Sequence, residues 1–182
     1  MPPSHSARDE PPVRLRATTQ DDLAYVLSIE RAPETLPFIT PWEPVQHEAA
    51  IRFPDFRHYI IESGDSLQPS GFVIVLGCKN RHQSVELKRM VVQHKSAGIG
   101  RAALRMAKKT AFDDLGAHRF WLDVKQSNTR AQGFYTSEGF TVEGVLRESV
   151  KLESGFFDSL VLMSMLRHDF DGRRSRGLEL PA

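Results

Sequence analysis

Val91-Val-Gln-His-Lys-Ser-Ala-Gly-Ile-Gly-Arg101 is the stretch whose reading decides the fold. It comes after Val85-Glu-Leu-Lys-Arg-Met90, an apolar-charged run that predicts a strand over 85–92. It then opens a helical run over 100–115, with Ala103, Leu104, Ala107, Ala111 and Leu115 on one face and Gly116 as its stop. A glycine loop between a strand end and a helix start is a ready anion site. Backbone N–H groups point outward there, and the helix dipole favours negative charge.

Two other readings of this loop compete. Gly98-Ile-Gly-Arg-Ala-Ala103 also fits the G-x-G-x-x-A dinucleotide pattern, and Asp123 lies near the spacing of a ribose-binding acid. Against it, Gln93 to Ala97 separate the strand from the first glycine. The strand also carries Glu86, Lys88 and Arg89, whereas a buried first strand of that fold is apolar on both faces. A phosphate loop of the G-x-x-x-x-G-K-[ST] type is absent. The plainest alternative is a helix start whose glycines only ease packing.

A second motif separates these readings. Asn128-Thr-Arg-Ala131-Gln-Gly-Phe134-Tyr135-Thr-Ser-Glu-Gly139-Phe140 predicts a helix over 128–138, capped by Ser127 or Asn128 and stopped by Gly139. Asn128 and Tyr135 are two helical turns apart and share a face. Together the two motifs resemble the GNAT superfamily of acyl-CoA-dependent N-acetyltransferases. Lys95, Gly98 and Gly100 fall on the loop pattern, with Lys95 in place of the usual Gln or Arg. Asn128, Ala131, Tyr135, Gly139 and Phe140 fall on the later helix. Glu143-Gly-Val-Leu-Arg147, Asp158 and the run 160–166 look like the ribosomal-protein N-terminal acetyltransferase branch.

The resemblance spans roughly 13–168 and implies an α/β fold. It would be a single GNAT-like domain, with a mixed, mostly antiparallel central sheet and helices on both faces. It implies acetyl-CoA as acyl donor and a primary amine as acceptor, either a small molecule or a protein N-terminus. Backbone groups of Lys95, Ser96, Ala97, Gly98, Ile99, Gly100 and Arg101 would hold the pyrophosphate. Met90, Val91 and Val92 would meet the thioester and pantetheine, and Asn128 would hydrogen-bond the pantetheine. Tyr135 would contact the donor and act as general acid. Glu86 would act as general base, directly or through water; it equally suits an ion pair with Lys88 or Arg119. Plain alternation puts Glu86, Lys88 and Met90 on one face. Either Phe38 and Trp42, in the Pro-rich loop 33–44, or the segment 148–156 would wall the acceptor pocket; the two aromatics equally suit a satellite hydrophobic cluster. A non-catalytic acyl-CoA sensor is the alternative function, although it needs neither Tyr135 nor Glu86.

Bulk properties agree with this reading. The 182 residues suit one domain. A net charge of +1 gives no basis for nucleic-acid binding. The lone Cys78 excludes an internal disulfide framework and points to the cytoplasm. No run has membrane-spanning length, and the N-terminus has no apolar signal core. No His/Cys cluster has metal-ligand spacing, and His47 and His118 read as surface or structural. Further strands are expected over 13–17, 58–62, 71–76, 119–124, 141–145 and 157–166. A helix should come after Thr18 and Thr19, and a short one should cover 45–52. Residues 1–12 and 169–182 read as a loose N-terminal segment and a flexible tail around the domain at 13–168. A homodimer involving the strand 157–166 is an open expectation.

Overall fold

Alternating apolar residues build the first half of one sheet. The computed structural model describes residues 12–93 and 98–182. Strands β1 (Val13–Ala17), β2 (Phe56–Ser63), β3 (Gln68–Leu76) and β4 (Ser84–Val92) pair in succession, each antiparallel to the last. On β2 and β3, Ile61, Val73 and Val75 face one side of the sheet, and Ile60, Phe72 and Ile74 face the other. Both sides are therefore covered. Helix α1 (Leu23–Glu30) lays Val26 and Ile29 on the second cluster. Helix α2 (Pro44–Arg52) starts on Pro44, where a missing N–H costs nothing. Helix α3 (Ile99–Lys109) lays Ala103, Leu104 and Ala107 on the first cluster.

Strands β5 (Arg119–Lys125), β6 (Thr141–Lys151) and β7 (Phe157–Leu166) complete the order β1-β2-β3-β4-β5-β7-β6. Only β4 and β5 run parallel. A parallel neighbour needs a crossover, and α3 with its π-type last turns at Thr110–Asp114 supplies it. This is the mixed, mostly antiparallel sheet expected from the sequence. One parallel pair among antiparallel neighbours also rules out the doubly wound dinucleotide fold. Strand β7 is paired on both sides, and the free edges of the sheet are β1 and β6. Among the described residues no helix is long and apolar enough to cross a membrane. None of their His, Cys, Asp and Glu groups is arranged to hold a metal ion.

Helix α4 (Thr129–Ser137) is capped by Asn128, whose side-chain carbonyl accepts the Ala131 N–H at 3.1 Å. Gly139 ends the connection at φ 92°, and a Cβ there would fall 2.6 Å from Arg173 Cδ.

The segment expected as a flexible tail is folded. Helix α5 (Arg167–Ser175) buries Phe170, which stacks on Phe112 at 4.6 Å. Beyond it, Glu179 is buried and accepts Lys108 Nζ at 2.5 Å and Arg173 Nε at 2.6 Å. Lys108 is itself fully buried and also donates to Glu138 at 3.2 Å. The charges that made this end look solvated neutralise one another inside the protein. Phe170→Ala should therefore cost about 3–5 kcal/mol and lower the midpoint of denaturant unfolding. An unchanged midpoint would mean that the segment is not docked.

Candidate active site

The site arises where β4 and β5 stop pairing. Their ladder holds only from Ser84–Arg119 to Glu86–Trp121. Immediately beyond, β4 carries one residue more than β3. Val75 pairs with Leu87 and Ile74 with Arg89, so Lys88 is the extra residue of a bulge. A bulge bends its strand and re-aims the side chains beyond it. Here the alternation expected for β4 is corrected. Val85, Leu87, Met90 and Val92 join the first core face, while Glu86 pairs in register with Trp121 away from it. Glu86 and Met90 therefore do not share a face.

Beyond the bulge β4 has no neighbour on its β5 side. Gln93 N–H turns to β3, reaching Ser70 O at 2.9 Å. Val91 O also lies on that side, only 2.2 Å from where a Cβ on Gly71 would sit, so glycine is required there. Antiparallel alternation then turns the N–H groups of Met90 and Val92 the other way, into the opening. Val91 is turned from the opening in both backbone and side chain, since its side chain is buried in the second cluster.

Two clefts meet in this opening. One, of about 250 Å³, is lined by Phe38, Arg89, Leu122, Asp123 and Lys125 among others. The second, of about 210 Å³, is lined by Val92, Gly100, Arg130 and Phe134. Met90, Ala131 and Tyr135 belong to both. Tyr135 stands at the junction, its ring held by Phe134 at 5.3 Å and Phe140 at 5.7 Å. Burial pushes its phenol well above the usual tyrosine range, so it keeps its proton at neutral pH. At the far end of the second cleft, Gly98 adopts φ 75° and releases the chain into α3 through Ile99 and Gly100. Lys95, Ser96 and Ala97 lie outside the described residues.

The remaining expected residues divide. Arg101 sends its Nε to Glu138 Oε1 at 2.8 Å, which ties α3 to the end of α4. Asn128 spends its carbonyl on the helix cap. Phe38 lines the first cleft, but Trp42 does not. The Trp42 ring packs on the second core cluster with Arg89 5.0 Å above it. Glu86 is buried behind the lining and accepts Lys88 Nζ at 3.1 Å. Burial raises its pKa above the usual carboxylate value, Lys88 opposes the shift, and Asp123 adds to it.

Sequence reasoning missed a buried polar chain behind the cleft. Arg89 donates to Glu30 Oε1 and, at 2.8 Å, to Thr40 O. Glu30 Oε2 accepts from Trp42 N–H at 3.1 Å and bonds His47 Nε2 at 3.0 Å. His47 Nδ1 meets His58 Nε2 at 3.1 Å, and His58 Nδ1 meets Thr18 Oγ1 at 2.9 Å. One direction satisfies every atom with both imidazoles neutral. Thr18 O–H donates to His58, His58 Nε2–H to His47, and His47 Nε2–H to ionised Glu30. Burial opposes the Glu30 charge, but His47 and Arg89 outweigh it and hold the carboxyl below its usual range. The chain fixes Arg89 and the backbone at Thr40 and Trp42 as one wall of the cleft.

A central sheet split at its one parallel pair, with a helix start at one end of the opening and a phenol at its middle, defines an acyl-CoA-dependent acyltransferase. The chain belongs to the Acetyltransferase (GNAT) family, whose model matches residues 23–140. It is a GNAT-type N-acetyltransferase, and acetyl-CoA is its acyl donor. Spermidine N(1)-acetyltransferase of Escherichia coli is 22% identical over 181 residues, covering 93% of this chain and 91% of the relative. An uncharacterised N-acetyltransferase of Mycobacterium tuberculosis is 43% identical over 101 residues, 53% of this chain and 64% of the relative. Spermidine N-acetyltransferase from Vibrio cholerae, solved with CoA and spermine, superposes with a TM-score of 0.78. It is 22% identical and covers 87% of this chain and 97% of its own, a likeness of fold. The family resemblance read from the sequence thus holds, whereas none of these relatives is named as a ribosomal-protein acetyltransferase.

The buried histidine chain gives a pH signature. Burial pushes His58 down to about 4, while an unfolded histidine titrates near pH 6.5. Between these values the unfolded state binds the proton and the folded state does not, so stability is full above about pH 6.5 and falls with pH. The loss should reach about 3 kcal/mol by pH 4. Unfolding titrations of wild type and His58→Gln between pH 7 and pH 5 should show a steeper loss of stability in wild type than in the variant. Equal slopes would mean that His58 is not buried neutral.

Proposed function

We propose that this enzyme acetylates a small primary amine by direct attack, with Tyr135 as general acid and Glu86 as general base through water. The observation that carries the reading is the position of Tyr135, shared by the cleft that opens toward α3 and the cleft that opens toward the Pro-rich loop. The cleft toward α3 suits the donor and the other the acceptor. The donor supplies an activated thioester, which makes the acyl carbon reactive toward nitrogen.

The residues fit such a donor. Gly98, Ile99, Gly100 and Arg101 present the start of α3 to a pyrophosphate, with charge and N–H groups aligned. Lys95, Ser96 and Ala97 are assigned to the same contact by their place in the loop. The N–H of Val92 is turned to the pantetheine, and that of Met90 to the thioester carbonyl, where it supports the charge that builds during attack. Asn128 keeps its Nδ2 for the same donor.

An amine must lose its proton to attack. Glu86 has the basicity for this, since burial lifts it above an ordinary carboxylate. It stands behind Lys88 and Asp123 rather than in the lining, so a water carries the proton to it. One ammonium proton thus moves to Glu86, the C–N bond forms, the C–S bond breaks as the Tyr135 proton goes to the departing sulfur, and the second nitrogen proton, released as the amide forms, restores the phenol. Attack at the thioester needs no covalent enzyme adduct, and Cys78 plays no part.

The names of the relatives bring spermidine forward as one acceptor. The ribosomal-protein branch would bring a protein N-terminus. We favour a small amine, because the cleft beside the Pro-rich loop is only about 250 Å³ and that loop covers it. We place the enzyme in the cytoplasm, where its donor and its unpaired Cys78 are at home. We also propose a homodimer through the free edge of β6, which exposes Val145 and Leu146 beside Phe156 and Phe157.

Tyr135→Phe should lower kcat roughly a hundredfold or more, with acetyl-CoA affinity close to wild type by calorimetry. Unchanged turnover would remove Tyr135 as the acid. Glu86→Gln should lose the rising acid limb of the pH–rate profile and be slowest, relative to wild type, near neutral pH. A profile of wild-type shape would assign Glu86 to its ion pair alone.

A further inference from the structure

We infer that the acceptor is an amine that also carries a carboxylate, an amino acid by chemical class, with Asp123 receiving its amino group and Lys125 its carboxylate. The inference rests on the acetyl-transfer reading above and specifies the acceptor half of the same site.

Asp123 and Lys125 are two residues apart on β5. Phe120, Leu122 and Val124 point into the first core, so Asp123 and Lys125 share the opposite face. Their Cα atoms are about 7 Å apart along the strand. Both line the first cleft, beside Tyr135 and on the acceptor side of the opening.

The other charges there are already satisfied. Lys88 is paired with Glu86, and Arg89 with Glu30. Asp123 differs: among the described residues no hydrogen bond or ion pair reaches its carboxylate, although Glu86 and Arg89 both feel its charge. Lys125 differs in the opposite sense. It is 7% exposed, and its Nζ donates to a single group, Pro37 O, at 3.0 Å. An ammonium has three donors, and burying one without a counter-ion is unfavourable. Asp158 feels its charge but is held by Ser127 Oγ at 2.6 Å and makes no ion pair with it. The cleft therefore holds one unpaired carboxylate and one unpaired ammonium on one strand face, which is the complement of a zwitterion.

A polyamine fits this pattern poorly. It needs a carboxylate for each ammonium, and the first cleft offers only Asp123. Where the first cleft continues past Ile39 and Thr40, its neighbour adds Lys151 and Glu153 to Lys125. A second ammonium entering there meets Lys125 before it meets Glu153. Like charges in a partly buried site repel strongly.

The experiment compares free amino acids with their carboxamides and with spermidine, using the full chain, by thiol release from acetyl-CoA and by calorimetric binding in the presence of CoA. The expected result is a kcat/KM for at least one amino acid about a hundredfold above that for its carboxamide, and above that for spermidine. Lys125→Met should collapse the acid-to-amide ratio to near one, and Lys125→Arg should restore most of it. Asp123→Asn should weaken binding of acid and amide alike. Equal use of acid and amide, preference for spermidine, or an unaltered ratio in Lys125→Met would overturn the inference. If acetyl-CoA binds but no amino acid does, the acceptor assignment falls alone. If acetyl-CoA does not bind, the acetyl-transfer reading falls and takes the acceptor assignment with it.

Discussion

The site depends on one broken ladder. Strands β4 and β5 form the only parallel pair in the sheet, and they pair for three residues before they part. The extra residue at Lys88 bends β4 at that point. A closed sheet would satisfy the β4 backbone and leave no room for a substrate. The open one leaves the N–H groups of Met90 and Val92 unpaired within the sheet and facing a cleft. Unpaired backbone donors are unfavourable when buried, so the opening calls for a ligand with acceptors along its length. A pantetheine chain, with its amide carbonyls, is such a ligand.

Holding the opening apart requires stiffness on both flanks. On the acceptor flank the chain Thr18–His58–His47–Glu30–Arg89 runs from the end of β1 to the cleft wall. On the donor flank Glu138 gathers Arg101 and Lys108, and Lys108 reaches Glu179 near the C-terminus. Both networks bury charge with partners. Such pairs add little net stability over apolar packing, but removing one partner is costly. Their effect here is geometric. They tie α3 to α4 across the second cleft and the Pro-rich loop to β4 across the first.

Much of the fold is legible in the sequence, because the signals are local. Alternation marks the strands, Gly98 and Gly139 mark the ends of α3 and α4, and the spacing from Asn128 to Phe140 carries the family. The bulge at Lys88 is not legible. One inserted residue leaves the apolar pattern of 85–92 nearly intact, yet it moves Glu86 to the face opposite Met90. Trp42 reads as a pocket wall because an aromatic in a Pro-rich loop looks exposed, whereas Arg89 covers it from a strand 47 residues away. Helix α5 and the residues after it escape a sequence reading because Arg167 and Arg174 find Asp113, and Glu179 finds Lys108, partners that no local window contains. His47 reads as a surface or structural histidine, because its partners Glu30 and His58 lie on other elements. Asp123 stands out in the sequence only for a ribose contact; its place in the cleft comes from β5 parting from β4.

The central claim is that the gap between β4 and β5 is an acetyl-CoA site built on Met90, Val92 and the start of α3. Calorimetric titration with acetyl-CoA, with NAD as control, tests it most directly. The account predicts micromolar binding of acetyl-CoA and none of NAD. Binding of NAD without acetyl-CoA, or of neither, would contradict it.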